Sequence, residues 1–170
     1  MSKNNQQAKS QVTGTPRYTR LTICTLLLTC ITHCLPTLAQ GSLPIAPEKA
    51  LQARQASYFL MGQQMARINA TIKGDLAFDK PAMQLSADAL DMLGRLVQEN
   101  YVPGSDQGNT RAKAGIWKEM PRFKQMAQES QVEIVKLREA IYRADLAAIK
   151  TAYGNTSKSC KNCHDTFKEK

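Results

Sequence analysis

Aromatic residues are scarce in this 170-residue chain, at 6%, and it holds only 9 Gly and 7 Pro. So few strand-forming aromatics and turn residues argue against a β-sandwich, and so little Gly and Pro argues against a low-complexity chain. No segment alternates polar and apolar residues with period two, no internal repeat is visible, and no Gly-rich phosphate loop occurs. The longest apolar stretch, Leu21 to Leu35, is shorter than the roughly 20 residues a membrane-spanning helix needs, so no stable membrane anchor is expected. The bases are interspersed with acids, as on a solvated helix face, so nucleic-acid binding is not expected. What remains is rich in Ala, Leu, Gln, Lys and Met, all good helix formers, in a length that suits one domain.

Residues 1–39 read as an export signal. Lys3, Lys9, Arg17 and Arg20 lie in an acid-free polar stretch, the short apolar run follows, and Pro36 ends it. Thr37-Leu38-Ala39 then supplies the small residues that a signal peptidase reads, which predicts cleavage after Ala39. Cys30 and Cys34 lack the small preceding residue that a lipoprotein signal requires. Cleavage leaves a domain of residues 40–170. Its formal charge falls from +9 to +5, because four bases and no acids depart. It retains one histidine, His164, and two cysteines, Cys160 and Cys163.

The domain reads as four helices. The first is expected over Pro47–Lys73, with Leu51, Tyr58, Met61, Met65, Ile68 and Ile72 on one face and Gly74 just past its end. The second is expected over Lys80–Glu99, with Leu85, Ala89, Met92, Leu93 and Leu96 as its apolar face. The third is expected over Trp117–Ala144, with Pro121 in the first turn and a face of Met120, Phe123, Ala127, Ile134, Leu137 and Ile141. The fourth is expected over Leu146–Lys168, capped by Asp145, with a stripe of Leu146, Ile149, Tyr153, Thr156, Cys160, Cys163 and Phe167. Short connections make the first and second, and the third and fourth, antiparallel neighbours. Asn100 to Ile116 reads as a surface loop. The predicted fold is all-α, an antiparallel up-down-up-down four-helix bundle.

Cys160-Lys161-Asn162-Cys163-His164 carries the chemistry. Two thiols three residues apart share one helix face. They can form thioethers with the two vinyl groups of one haem, while the following histidine ligates its iron. A structural zinc site needs four ligands, and the domain offers three crowded on one helix. A thioredoxin-like pair needs a βαβ context, and a disulfide across so short a loop would do little for a bundle. One covalent haem c is therefore expected. Bacterial haem attachment occurs outside the cytoplasm, in agreement with the export signal, so the periplasm is the expected location.

The motif lies at the end of the chain. Together with Arg54-Gln55-Ala56-Ser57-Tyr58-Phe59-Leu60-Met61-Gly62, Met65, Ile72-Lys73-Gly74 and Ile116-Trp117, it makes residues 46–170 resemble cytochrome c′, the four-helix class II c-type cytochromes. The resemblance implies that Arg54 lies near a haem propionate, where charge-assisted hydrogen bonding would hold it. It implies that Tyr58 faces the vacant side of the iron, with Met61 and Met65 on the same helix face. Phe167 stands where Tyr is frequent, as haem-pocket wall. Lys168 stands where Arg is frequent beside the proximal imidazole, keeping the charge without the planar fork.

The sixth iron ligand separates two functions. The domain has no second histidine, and the neutral phenol of Tyr58 is a poor ligand near pH 7. The first expectation is therefore five-coordinate, high-spin iron bound by His164. Such a protein would bind nitric oxide and carbon monoxide and take part in electron transfer with a periplasmic redox partner. The alternative is a six-coordinate, low-spin His/Met electron carrier of the same fold, with Met61, Met65, Met83, Met92, Met120 and Met126 as candidates by composition. Peroxidase chemistry would need a distal histidine, so no enzyme activity is expected. The resemblance also implies a homodimer formed through the first two helices.

Overall fold

The structure, a computed structural model, describes residues 44–170. The expected export signal and its cleavage site lie outside the described residues. Four long helices form the bundle: α1 (Pro47–Lys73), α2 (Lys80–Leu96), α4 (Met120–Arg143) and α5 (Leu146–Phe167), with a one-turn α3 (Gly115–Lys118) between α2 and α4. Helix α1 packs on α2, α2 on α4, and α4 on α5, while α1 and α5 touch more sparingly. No helix among the described residues is long and apolar enough to cross a membrane.

Local signals set the helix ends. Pro47 sits in the first turn of α1, and Gly74 closes it in the left-handed region at φ 84°, which glycine adopts without steric cost. The Asp79 carboxylate accepts from the Ala82 N–H at 3.1 Å and starts α2; Asp145 does the same for α5 through Ala148 N–H at 3.0 Å. These caps satisfy donors that the first helical turn leaves unpaired. Ala144 joins α4 to α5 at φ 56°, the one non-glycine residue with positive φ among those described.

Three boundaries differ from the sequence expectation. After Leu96 the second helix tightens into a 3₁₀ turn, Val97–Asn100, rather than running regularly to Glu99. Trp117 belongs to α3, because Glu119 leaves the helical region (φ −115°, ψ 36°) just before Pro121 enters the first turn of α4. The last helix stops at Phe167, and Lys168 is extended, paired with Ala112 in an isolated antiparallel bridge.

The apolar face of α2 is also corrected. Leu85, Met92 and Leu96 are 71%, 57% and 46% exposed, and the buried positions are Met83, Ser86, Ala87, Leu90 and Gly94. The physical reason is the close approach of α4. A Cβ on Gly94 would stand 2.5 Å from Gln131 Oε1 and 3.3 Å from Ile134 Cδ1, so the packed face needs small residues there. Leu146, expected in the core stripe of α5, is likewise exposed at the open end of the helix.

The core divides in two. The larger cluster joins Ile68, Met83, Leu90, Ile134, Leu137, Ile141 and Ile149 across the four long helices, with Met61 and Met65 at its edge. The smaller cluster is Ile116, Phe123 and Phe167, flanked by Tyr101, Trp117, Met120, Met126 and Cys163. The intervening loop is not purely a surface loop, since its Ser105 is fully buried.

Candidate cofactor site

The three chemistry-bearing residues of the motif occupy the last turns of α5. Cys160 and Cys163 are free thiols, each half-buried, and Cys163 lies against the smaller core cluster. Burial pushes both thiols up, Cys163 to about 11 with a further contribution from Cys160. Both are therefore neutral near pH 7, which does not favour a thiolate metal site. No group of three or more His, Cys, Asp or Glu able to hold a metal ion occurs among the described residues.

Loss of hydration lowers the His164 pKa, and the positive charges of Lys168 and Arg111 lower it further against the opposing Asp165. The residue as a whole is exposed, so partial enclosure of the ring and not full burial is the cause. Neutral imidazole is the form that ligates iron.

Tyr58 stands across from His164. The two rings have centroids 6.4 Å apart at an interplanar angle of 76°. Tyr58 is 37% exposed, yet burial raises its phenol well above the ordinary value, and Tyr101 adds to the shift. These fit together if one face of the ring is open while its hydroxyl end is enclosed. That hydroxyl lies 3.0 Å from the Tyr101 hydroxyl. Met61 and Met65 are partly buried at the edge of the larger core cluster, one to two turns further along α1.

Arg54 is 2% exposed. Its Nη1 donates to Asn100 O at 3.2 Å and Ser105 Oγ at 2.8 Å. Its Nη2 donates to Ser105 O at 2.5 Å and Thr110 Oγ1 at 3.4 Å. The guanidinium also lies over the rings of Tyr101 and Trp117, at 4.9 and 5.3 Å. Four of its five N–H donors thus hold the loop after α2, leaving Nε–H for a further acceptor. Arg54 forms no ion pair with Asp or Glu among the described residues. A buried cation without a counter-ion is costly, and an anionic group placed nearby would lower that cost.

Phe167 is buried, edge-on to Phe123 with centroids 5.5 Å apart. Lys168 donates its backbone N–H to His164 O at 3.0 Å. The structure thus brings Tyr58 to His164, sets Phe167 and Cys163 in one apolar wall, and commits most of Arg54 to the loop. Sequence reasoning did not single out Tyr101 or Ser105. Neither lies in a periodic segment, and their roles arise from contacts with α1 more than 40 residues away.

The residues fit a flat, covalently held anionic macrocycle. The thiols share one helix face, a neutral imidazole follows them, and the core is split into two clusters with Cys163 at one border and the two methionines at the other. Comparison with known proteins agrees. The family described as Cytochrome C' matches residues 49–168. A cytochrome c′ of Rubrivivax gelatinosus is 34% identical over 125 residues, 73% of this chain and 97% of that protein. The solved cytochrome c′ of Shewanella frigidimarina superposes with a TM-score of 0.71 at 33% identity, covering 75% of this chain and all of that one. A nitric oxide complex of a cytochrome c′ variant from Alcaligenes xylosoxidans superposes with a TM-score of 0.70 at 32% identity, covering 75% of this chain and 99% of that one.

Proposed function

This chain belongs to the cytochrome c′ family and carries covalently bound haem c, and from that premise we propose that it binds nitric oxide and carbon monoxide at five-coordinate iron. The haem supplies a redox-active iron with open coordination chemistry. Cys160 and Cys163 would hold it through thioethers, and His164 would supply the axial nitrogen. The observation that carries the reading is that the Tyr58 ring is set against His164, while Met61 and Met65 pack at the edge of the larger core cluster. Its phenol is neutral, because burial raises its pKa, and a neutral phenol is a weak iron ligand. Tyr58 therefore excludes anions and water from that face by bulk while leaving the sixth position free for a small neutral gas. A relative of the same fold has been solved with nitric oxide bound, which supports the same chemistry here.

Around the site, each residue has a separate task. Arg54, with Nε–H as its free donor, would favour a propionate placed beside it. Phe167 closes the pocket wall, and the Lys168 charge adds to the loss of hydration that lowers the His164 pKa. We assign the protein no catalytic turnover; its chemistry is ligand binding with electron exchange to a periplasmic partner. The periplasmic location follows from the export signal read in residues 1–39. Phe59 and Leu60 of α1, with Leu85, Met92 and Leu96 of α2, are exposed apolar side chains on adjacent helices. Apolar side chains left unburied on both helices support a homodimer through α1 and α2.

The optical spectrum of the reduced holoprotein, recorded with and without nitric oxide and carbon monoxide, tests this function. A high-spin spectrum that shifts with either gas is expected. A low-spin spectrum indifferent to both would assign the sixth position to Met61 or Met65 and make the protein a six-coordinate electron carrier.

A further inference from the structure

Tyr58 bounds the gas site, and its hydroxyl has one hydrogen-bond partner among the described residues, Tyr101. Tyr101 is tightly held. Its ring lies 4.4 Å from Phe123 and 5.8 Å from Trp117 between centroids, with the Arg54 guanidinium on it at 4.9 Å. The backbone on either side is pinned as well. Arg54 holds Asn100 O, and the indole Nε1 of Trp117 donates to Val102 O at 3.0 Å. Tyr58 is the less confined member of the pair, on a helix face that is open to solvent over part of the ring.

We propose that Tyr101 is a positioning residue that latches Tyr58, holding its ring over the face opposite His164 and thereby setting how readily a gas enters. The inference rests on the gas-binding reading above. A ligand entering that face displaces the Tyr58 ring, and the ring cannot swing without giving up the hydroxyl pair. Both phenols stay protonated near pH 7, since burial raises each, so one donates and the other accepts. The latch is thus a single neutral hydrogen bond between a rigid anchor and a movable gate.

Carbon monoxide association after flash photolysis of the reduced holoprotein tests the latch. The proteins compared are the unaltered chain, Tyr101→Phe, Tyr58→Phe and the double variant. Each single change removes the same hydrogen bond, so each is expected to raise the association rate roughly two- to tenfold. The double variant is expected to match the singles rather than multiply them. Ultraviolet resonance Raman spectra of the tyrosines should report loss of the same bond in both singles. An unchanged rate in Tyr101→Phe, with gas still bound, overturns the latch and leaves gas binding standing. So does a fall in thermal stability without coupling to Tyr58→Phe, because that is the signature of packing alone. If the unaltered holoprotein takes up neither gas, the gas-binding reading fails and the latch fails with it.

Discussion

Replacing Arg54 tests how far the loop after α2 depends on one buried cation. In Arg54→Met the aliphatic stem is largely retained, and four hydrogen bonds and two ring contacts vanish. Ser105 is buried, so its carbonyl loses its partner out of reach of water, which costs about 1–3 kcal/mol. Its hydroxyl loses less, because it still donates to Val102 O at 2.8 Å. Asn100 O and Thr110 Oγ1 are only partly buried and can turn to solvent. The two cation–π contacts add about 1 kcal/mol each. Against these stands the relief of burying a guanidinium, several kcal/mol by continuum reasoning, most of which the four bonds already offset. The net expectation is a loss of about 3 kcal/mol, or roughly 10 °C in Tm for a domain of this size. Denaturant unfolding of the holoprotein measures it, and near-ultraviolet circular dichroism of Trp117 reports the loop directly. Arg54→Lys keeps the charge but not the fork and should recover about half of the loss. A loss below about 1 kcal/mol in Arg54→Met would refute the assignment of Arg54 as the loop's anchor, since it is less than one buried carbonyl alone should cost.

Other consequences can be checked separately. Ala144→Gly should raise stability by about 0.5–1 kcal/mol in chemical unfolding, because the exposed residue occupies the left-handed region at φ 56°, where a Cβ is strained and glycine is not. Leu85→Glu places a charge on the exposed apolar face of α2, and sedimentation velocity should show the proposed dimer dissociating while the helical circular dichroism is kept. Asp88 accepts from Tyr142 Oη and Arg138 Nε, both at 2.6 Å. The Tyr142 hydrogen bond first, and Arg138 as well, hold its carboxyl below the ordinary value. Its folded pKa is depressed, so its stabilisation is present above the unfolded value of about 3.9 and is lost as pH falls through the folded one. The Tm difference between Asp88→Asn and the unaltered protein should therefore be visible at neutral pH and vanish in strong acid.

The legible features share one physical property: they are local. Pro47, Gly74, Pro121 and Asp145 act on backbone within one turn, and each sits where its chemistry requires. The spacing of Cys160, Cys163 and His164 is likewise a property of one helix, which is why the cofactor could be read without a structure. The face of α2 could not. That helix is apolar on more than one side, with Met83, Ala87 and Leu90 along one stripe and Leu85, Met92 and Leu96 along another. Periodicity ranks stripes by hydrophobicity, and the bulkier residues of the second stripe made it the apparent core face. Close packing chose the first, because Gly94 lets α4 approach.

Arg54 shows the same limit at the site. The family resemblance marked it as a charged group near the cofactor, but only the fold shows it buried and holding a loop 46 to 56 residues away. Tyr101 gave no signal at all, being one aromatic in a short irregular segment. The sequence by itself determined the four long helices, the ends marked by Pro47, Gly74 and Asp145, and the residues that can hold a haem, because those follow from interactions along a few turns of chain. Only the tertiary structure decided which stripe is buried and which side chains meet across the bundle. Tyr58 finds Tyr101 and His164 through packing between segments far apart in the chain, and no local rule encodes that choice.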